Sequence, residues 1–158
     1  MFRSLAIVAA TVLAAPAFAD GHSVDLTATG DVDAGEAAFR QCVSCHVVMN
    51  EAGDTLAGRA AKTGPNLYGI IGGQFGTVED FRYSDINQLA SEMDVVINEE
   101  VFVTYVQDPT GYLREITGDK GRSKMTYKVR KEEDALNLYA YLASIATNPE
   151  AAAEGTDG

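Results

Sequence analysis

The chain has 158 residues, 46% of them hydrophobic, with two cysteines, no tryptophan and a formal net charge of −11 at pH 7. That length suffices for one domain with a real core but not comfortably for two. The acidic balance works against general nucleic-acid binding, because phosphate backbones are held by excess positive charge.

The first nineteen residues read as an export signal: Arg3 near the start, an apolar run over 5–15, Pro16, then Ala17-Phe18-Ala19 before Asp20. A membrane anchor is the competing reading, but residues 5–19 would span about 22 Å as a helix against a hydrocarbon core of about 30 Å. No later segment is long and apolar enough to cross a bilayer. The expected location is therefore the periplasm, an oxidising compartment in which two closely spaced bare thiols would be oxidised or attacked. Without the signal the net charge becomes −12, and it is unevenly spread. Arg114, Lys120, Arg122, Lys124, Lys128, Arg130 and Lys131 face only Glu115 and Asp119 in their stretch, a local +5 in a chain otherwise at −17.

Residues 20–32 read as a flexible polar lead, and the folded domain as 33–146. Asp33 with Glu36 three residues on matches a helix start, so the first helix is expected to run to about His46. Residues 50–76 are rich in glycine and weakly periodic, which predicts loops with at most a short helical turn over 67–71. Helices are expected over 85–93, over 98–107 behind Asn98, and from Asp108-Pro109 to near Gly118, since proline suits a first helical position. Residues 118–129 carry no period and read as a loop. The clearest helix is 131–146, where Ala135, Leu138, Leu142 and Ile145 share one face and acids fill the first turn. Few stretches alternate like strands, and 147–158 reads as a disordered tail.

The chemistry is concentrated in Gln41-Cys42-Val43-Ser44-Cys45-His46. Positions i, i+3 and i+4 of a helix share a face, so Cys42, Cys45 and His46 would project together. A flat macrocycle laid there would bond both sulfurs at its edge and meet the imidazole at its centre, as covalent attachment of haem c requires. A thioredoxin-like redox pair needs a preceding strand in a βαβ pattern, and none is visible. A zinc site would have to recruit His22 from the lead, where it reads as an ordinary solvated residue.

Haem held by one histidine is open or closed on its other face, and that choice separates gas binders and peroxidases from electron carriers. Met49 follows His46 too closely to reach around a macrocycle, and Met93 ends a helix and reads as core. Met125 lies in a loop able to wrap the far face, although its residue type alone also fits an ordinary loop methionine.

The stretches "GEAAFRQCVSCH", "KTGPNLYG", "FVTYVQDP", "GRSKMTYK" and "LYAYL" together resemble the class I cytochromes c, and most closely the bacterial cytochrome c2 type, over nearly all of 31–146. The resemblance implies an all-α fold of helices and long loops wrapped around one covalently bound haem c. It makes Met125 the second axial ligand opposite His46, with Cys42 and Cys45 as the thioether positions. It also implies that the Pro65 carbonyl accepts from the histidine's other nitrogen, and that Tyr105 approaches the methionine sulfur. Tyr83 would bind a haem propionate, and Asn87 would lie near a buried water. Gly35, Phe39, Leu138 and Tyr141 would form the crossing of the first and last helices. Two departures stand out: Gly73 where the family often has an arginine, and Ile97 where it usually has a tryptophan. Both remove donors from a buried propionate, so that compensation must come from Tyr83, another residue or water.

The implied activity is electron transfer without catalysis. The chain would be a monomeric soluble carrier that takes electrons from a cytochrome bc complex and passes them to a reaction centre, terminal oxidase or nitrogen-oxide reductase. The basic stretch around Met125 would be its docking surface, and association would slow as salt rises. The alternatives are a haem peroxidase or gas sensor with a labile Met125, or a haem-bearing module of a larger complex.

Overall fold

The computed structural model describes residues 24–59 and 61–146. The segment read as an export signal, His22 and the segment read as a tail over 147–158 lie outside the described residues. Five helices run in chain order: α1 (Val32–Phe39), α2 (Asp85–Ser91), α3 (Glu99–Gln107), α4 (Pro109–Thr117) and α5 (Glu132–Ala146). Between α1 and α2 a small antiparallel hairpin forms from β1 (Val47–Met49) and β2 (Thr55–Gly58). The fold is thus the mostly helical, loop-rich one that the sequence predicts, with a hairpin that it did not.

The helix starts follow their capping residues. Asp31, rather than Asp33, caps α1, with its side chain accepting from the Ala34 amide at 2.7 Å. Asn98 caps α3 by accepting from Val101, and Asp108 caps α4 ahead of Pro109 by accepting from Gly111. Three acids stand in the first turn of α5, where they meet the positive end of its dipole. Helix α2 stops at Ser91, so Met93 falls beyond it and is exposed rather than in the core.

Helices α1 and α5 cross at Gly35. A Cβ there would stand 1.9 Å from the Asn137 carbonyl oxygen and 2.7 Å from the Tyr141 Cβ. Phe39 and Tyr141 pack beside the crossing with ring centroids 5.5 Å apart and planes tilted by 51°, and Leu138 is buried with them. The lead is held from Leu26 onward, in contrast to the flexible segment read from its polarity. Leu26 O accepts from the Tyr139 hydroxyl, Thr29 bonds Glu99 through both its amide and its hydroxyl, and the Asp31 amide donates to the Asn137 side chain at 2.7 Å. Those partners come from α3 and α5, more than sixty residues away, and so leave no local signature. The core gathers around Val48, Ile71, Ile86, Leu113, Tyr139 and Leu142, each almost fully buried.

Because the obstruction at Gly35 is backbone, α1 must shift bodily to admit a methyl group. Gly35→Ala is expected to lower unfolding free energy by about 3 kcal/mol or more in a denaturant titration; a loss below about 1 kcal/mol would show that the crossing is looser than described.

Candidate functional site

The first helix does not reach His46. It ends at Phe39, and residues 40–45 continue as tight turns: Gln41 N donates to Ala38 O, Cys42 N to Phe39 O and Cys45 N to Cys42 O. These i to i−3 bonds wind the chain more sharply than an α-helix. A final i to i−4 bond from His46 N to Cys42 O, 2.9 Å, nevertheless sets His46 one turn beyond Cys42. Cys42, Cys45 and His46 therefore line one cavity, as the spacing predicts, although turns rather than a continued helix bring them there.

That cavity holds about 290 Å³. Close-packed interiors contain few voids larger than one water, whose share of liquid volume is about 30 Å³, so this is a built cleft and not a packing defect. Its walls are mainly apolar. Phe39, Leu138 and Leu142 come from the α1–α5 crossing; Leu67, Ile70 and Phe75 come from the long loop; Ile97, Phe102 and Val106 come from the α3 side.

His46 is fixed on one wall. Its Nδ1 lies 2.9 Å from the Pro65 carbonyl oxygen, so that nitrogen carries the proton and Nε2 is left to accept or to ligate. Burial lowers the imidazole pKa, and the Pro65 bond acts in the opposite direction. Pro65 is itself held from both sides. Gly64 N donates to Cys45 O at 2.7 Å and Leu67 N to Val47 O at 2.8 Å, while Asn66 brackets Met49 by accepting from its amide and donating to its carbonyl. A Cβ on Gly64 would lie 2.4 Å from His46 Cε1, so this glycine leaves room for the ring against the backbone. Gly64 and Asn66 escaped the sequence reading. The small residue before Pro65 was the available clue.

Met125 lines the same cavity from the loop between α4 and α5, whereas Met49 and Met93 are exposed and do not. The loop is organised by side chains. Arg114 of α4 donates to the carbonyls of Lys120 and Gly121, and Ser123 N donates to Thr110 Oγ1. The buried Ser123 hydroxyl accepts from the Met125 amide at 3.1 Å and lies 3.3 Å from the Tyr105 hydroxyl. Burial raises the Tyr105 pKa, against hydrogen bonds with Ser123 and Asn87. Asn87 also accepts from Ser84 at 2.7 Å. Tyr105 and Asn87 thus meet beside the Met125 loop. Ser123 is the member that the sequence did not reveal, because a loop serine looks the same whether buried or solvated.

Tyr83 also lines the cavity. Burial pushes its pKa up to about 12, with a Val78 backbone hydrogen bond acting the other way and Tyr105 adding to the rise. Of the two departures, Ile97 is buried in the cavity wall, whereas Gly73 serves the backbone: its amide donates to Ile70 O and its carbonyl accepts from Ile97 N. Gln74, next in sequence, lines the cavity and donates to Asp94 at 3.2 Å.

Cys42 does not have the character of an activated redox thiol. Burial first, then neighbouring Cys45, pushes the Cys42 thiol up to about 11, the reverse of the lowered pKa that activates such thiols. Among the described residues no three His, Cys, Asp or Glu converge to hold a bare metal ion.

Known proteins agree with this geometry. The cytochrome c2 of Rhodovulum adriaticum is 58% identical over 123 residues, covering 77% of this chain and 98% of that one. Cytochrome c-551 of Roseobacter denitrificans is 44% identical over 148 residues, 92% of this chain and 97% of that protein. The crystal structure of cytochrome c2 from Rhodobacter sphaeroides superposes with a TM-score of 0.74 at 51% identity, covering 76% of this chain and 99% of the other. No protein-family model matches the chain. The chain belongs to the class I cytochromes c and, within them, to the cytochrome c2 family. Its cofactor is a covalently bound haem c, and the cleft fits one: paired thiols, an oriented imidazole cradled by Gly64, a thioether and apolar walls line a single space.

Ser123 offers a direct check on the loop. Ser123→Ala removes the acceptor of the Met125 amide and the contact of the Tyr105 hydroxyl inside a buried region. It is expected to cost about 1–3 kcal/mol in a denaturant titration; no measurable loss would mean that water replaces the hydroxyl without penalty.

Proposed function

We propose that this member of the cytochrome c2 family is an exported carrier that works in the periplasm, with His46 and Met125 as its two axial ligands. The observation that carries the reading is the convergence of Cys42, Cys45, the Pro65-anchored His46 and Met125 on one apolar cavity. The bound haem supplies an iron that takes up or releases one electron.

The residues account for the rest. Cys42 and Cys45 tether the cofactor so that it cannot leave an edge-exposed site. His46 presents Nε2, and the Pro65 carbonyl fixes both tautomer and ring orientation while raising the basicity of the imidazole. Met125, which lines the same cavity, would hold the iron together with His46, leaving no position for a substrate and favouring a carrier over an enzyme. A thioether ligand raises the potential, and the apolar walls raise it further by disfavouring the additional positive charge of the oxidised state. Tyr83 and Gln74 are the candidate donors to the propionates, and Tyr105, Asn87 and Ser123 form the polar contacts behind Met125.

The expected donor is a cytochrome bc complex; the acceptor is a reaction centre, terminal oxidase or nitrogen-oxide reductase. The basic stretch is the proposed docking surface, and all seven of its cations are exposed. They are not equivalent. Lys128 pairs with Asp108 at 2.8 Å, Arg114 holds the carbonyls of its own loop, and Lys124 bonds the Arg82 carbonyl. Lys120, Arg122, Arg130 and Lys131 are therefore the cations best placed to meet an acidic partner.

Carbon monoxide separates the carrier from a gas sensor or peroxidase. The reduced native protein should bind none at neutral pH, whereas Met125→Ala should bind it promptly and stoichiometrically. Prompt binding by the native protein would establish an open site and overturn the reading.

A further inference from the structure

The segment that carries Met125 has no regular secondary structure. Its backbone is next secured only at Val129, whose amide donates to Val106 O at 2.9 Å. Between Ser123 and Val129 its position depends on side chains. On one side of Met125 the Lys124 ammonium donates to the Arg82 carbonyl and lies 5.6 Å from the centroid of the Phe81 ring. On the other side the Tyr127 hydroxyl donates to Gln41 Oε1. Gln41 directly precedes Cys42, and both Gln41 and Tyr127 line the cavity. Tyr127 therefore joins the methionine-bearing lip of the cleft to its cysteine-bearing lip, two positions beyond the sulfur.

We propose that the Tyr127–Gln41 hydrogen bond is a clasp across the cavity mouth that governs how readily the Met125 segment swings out of the cleft. The Lys124 contact cannot do the same, because it reaches the loop before α2 and leaves the lip beside Cys42 unbridged. For the thioether to leave, the chain that follows it must move away from the wall bearing Gln41, so the clasp must break at or before that motion. Tyr127 is 44% exposed, which lets water compensate the broken bond in part. The expected effect on opening is therefore roughly two- to tenfold, the size of a net exposed hydrogen bond. Both residues position the ligand and neither touches the iron.

The inference rests on Met125 as the sixth ligand, and the experiment tells the two apart. Excess imidazole is mixed with the oxidised protein, and the limiting rate at which it replaces the native ligand is measured together with the sulfur-to-iron absorption band. Tyr127→Phe and Gln41→Leu should each keep the band at neutral pH and raise the limiting rate roughly two- to tenfold. The double variant should be no faster than the faster single one, since both remove the same bond. Unchanged rates in either single variant, or effects that multiply in the double, would overturn the clasp while leaving the ligand assignment intact. A native protein without the band, in which imidazole binds with no limiting step, would remove the assignment, and the clasp with it.

Discussion

The hydrogen bond from His46 Nδ1 to the Pro65 carbonyl, 2.9 Å long, joins the two parts of the chain on which the site is built. On one side of it are the tight turns after α1 that bring Cys42, Cys45 and His46 to a single wall. On the other is a glycine-rich loop that follows a short hairpin. Without that bond the imidazole would be free to rotate, and neither nitrogen would be committed to the cavity. Gly64 makes the bond possible by leaving space for the ring. Asn66 and the amides of Gly64 and Leu67 hold the carbonyl in place by tying the loop to residues 45–49.

The two walls of the cleft are held by different means. The cysteine and histidine wall grows out of the α1–α5 crossing, where backbone meets backbone at Gly35 and little can move. The methionine wall is a loop held by side chains: Arg114 on its carbonyls, Thr110 and Ser123 beneath it, Lys124 and Tyr127 at its edges. Segments with few backbone ladder bonds open at lower free energy than packed helices. The proposed sulfur ligand thus sits on the more easily opened wall, and its retention depends on contacts that can be altered one at a time.

The chemistry was legible in the sequence because it lies in local spacing. Two cysteines three apart with histidine next point to a covalent macrocycle site whatever the backbone does, and the three line one cavity although α1 stops at Phe39 and not at His46. Helices α3, α4 and α5 were legible from Asn98, Asp108-Pro109 and the apolar face of 131–146. The β1–β2 hairpin was not, because its strands are three and four residues long and too short to alternate. Nor was the pinning of residues 26–31, whose partners are Glu99, Asn137 and Tyr139. Ser123, Asn66, Gln74 and Gln41 were missed for the same reason: short polar residues in loops reveal their partners only when distant segments come together. The cations of the basic stretch are exposed, but the ion pair of Lys128 with Asp108 is a tertiary contact that charge counting could not anticipate.

The most direct measurement is the mass of the purified, mature protein after complete denaturation and treatment with a thiol-alkylating reagent. If Cys42 and Cys45 both tether the cofactor, the chain will carry the mass of one haem and no alkyl group, and its colour will stay with the polypeptide. A chain without haem, or one with either cysteine alkylated, would contradict the doubly tethered site.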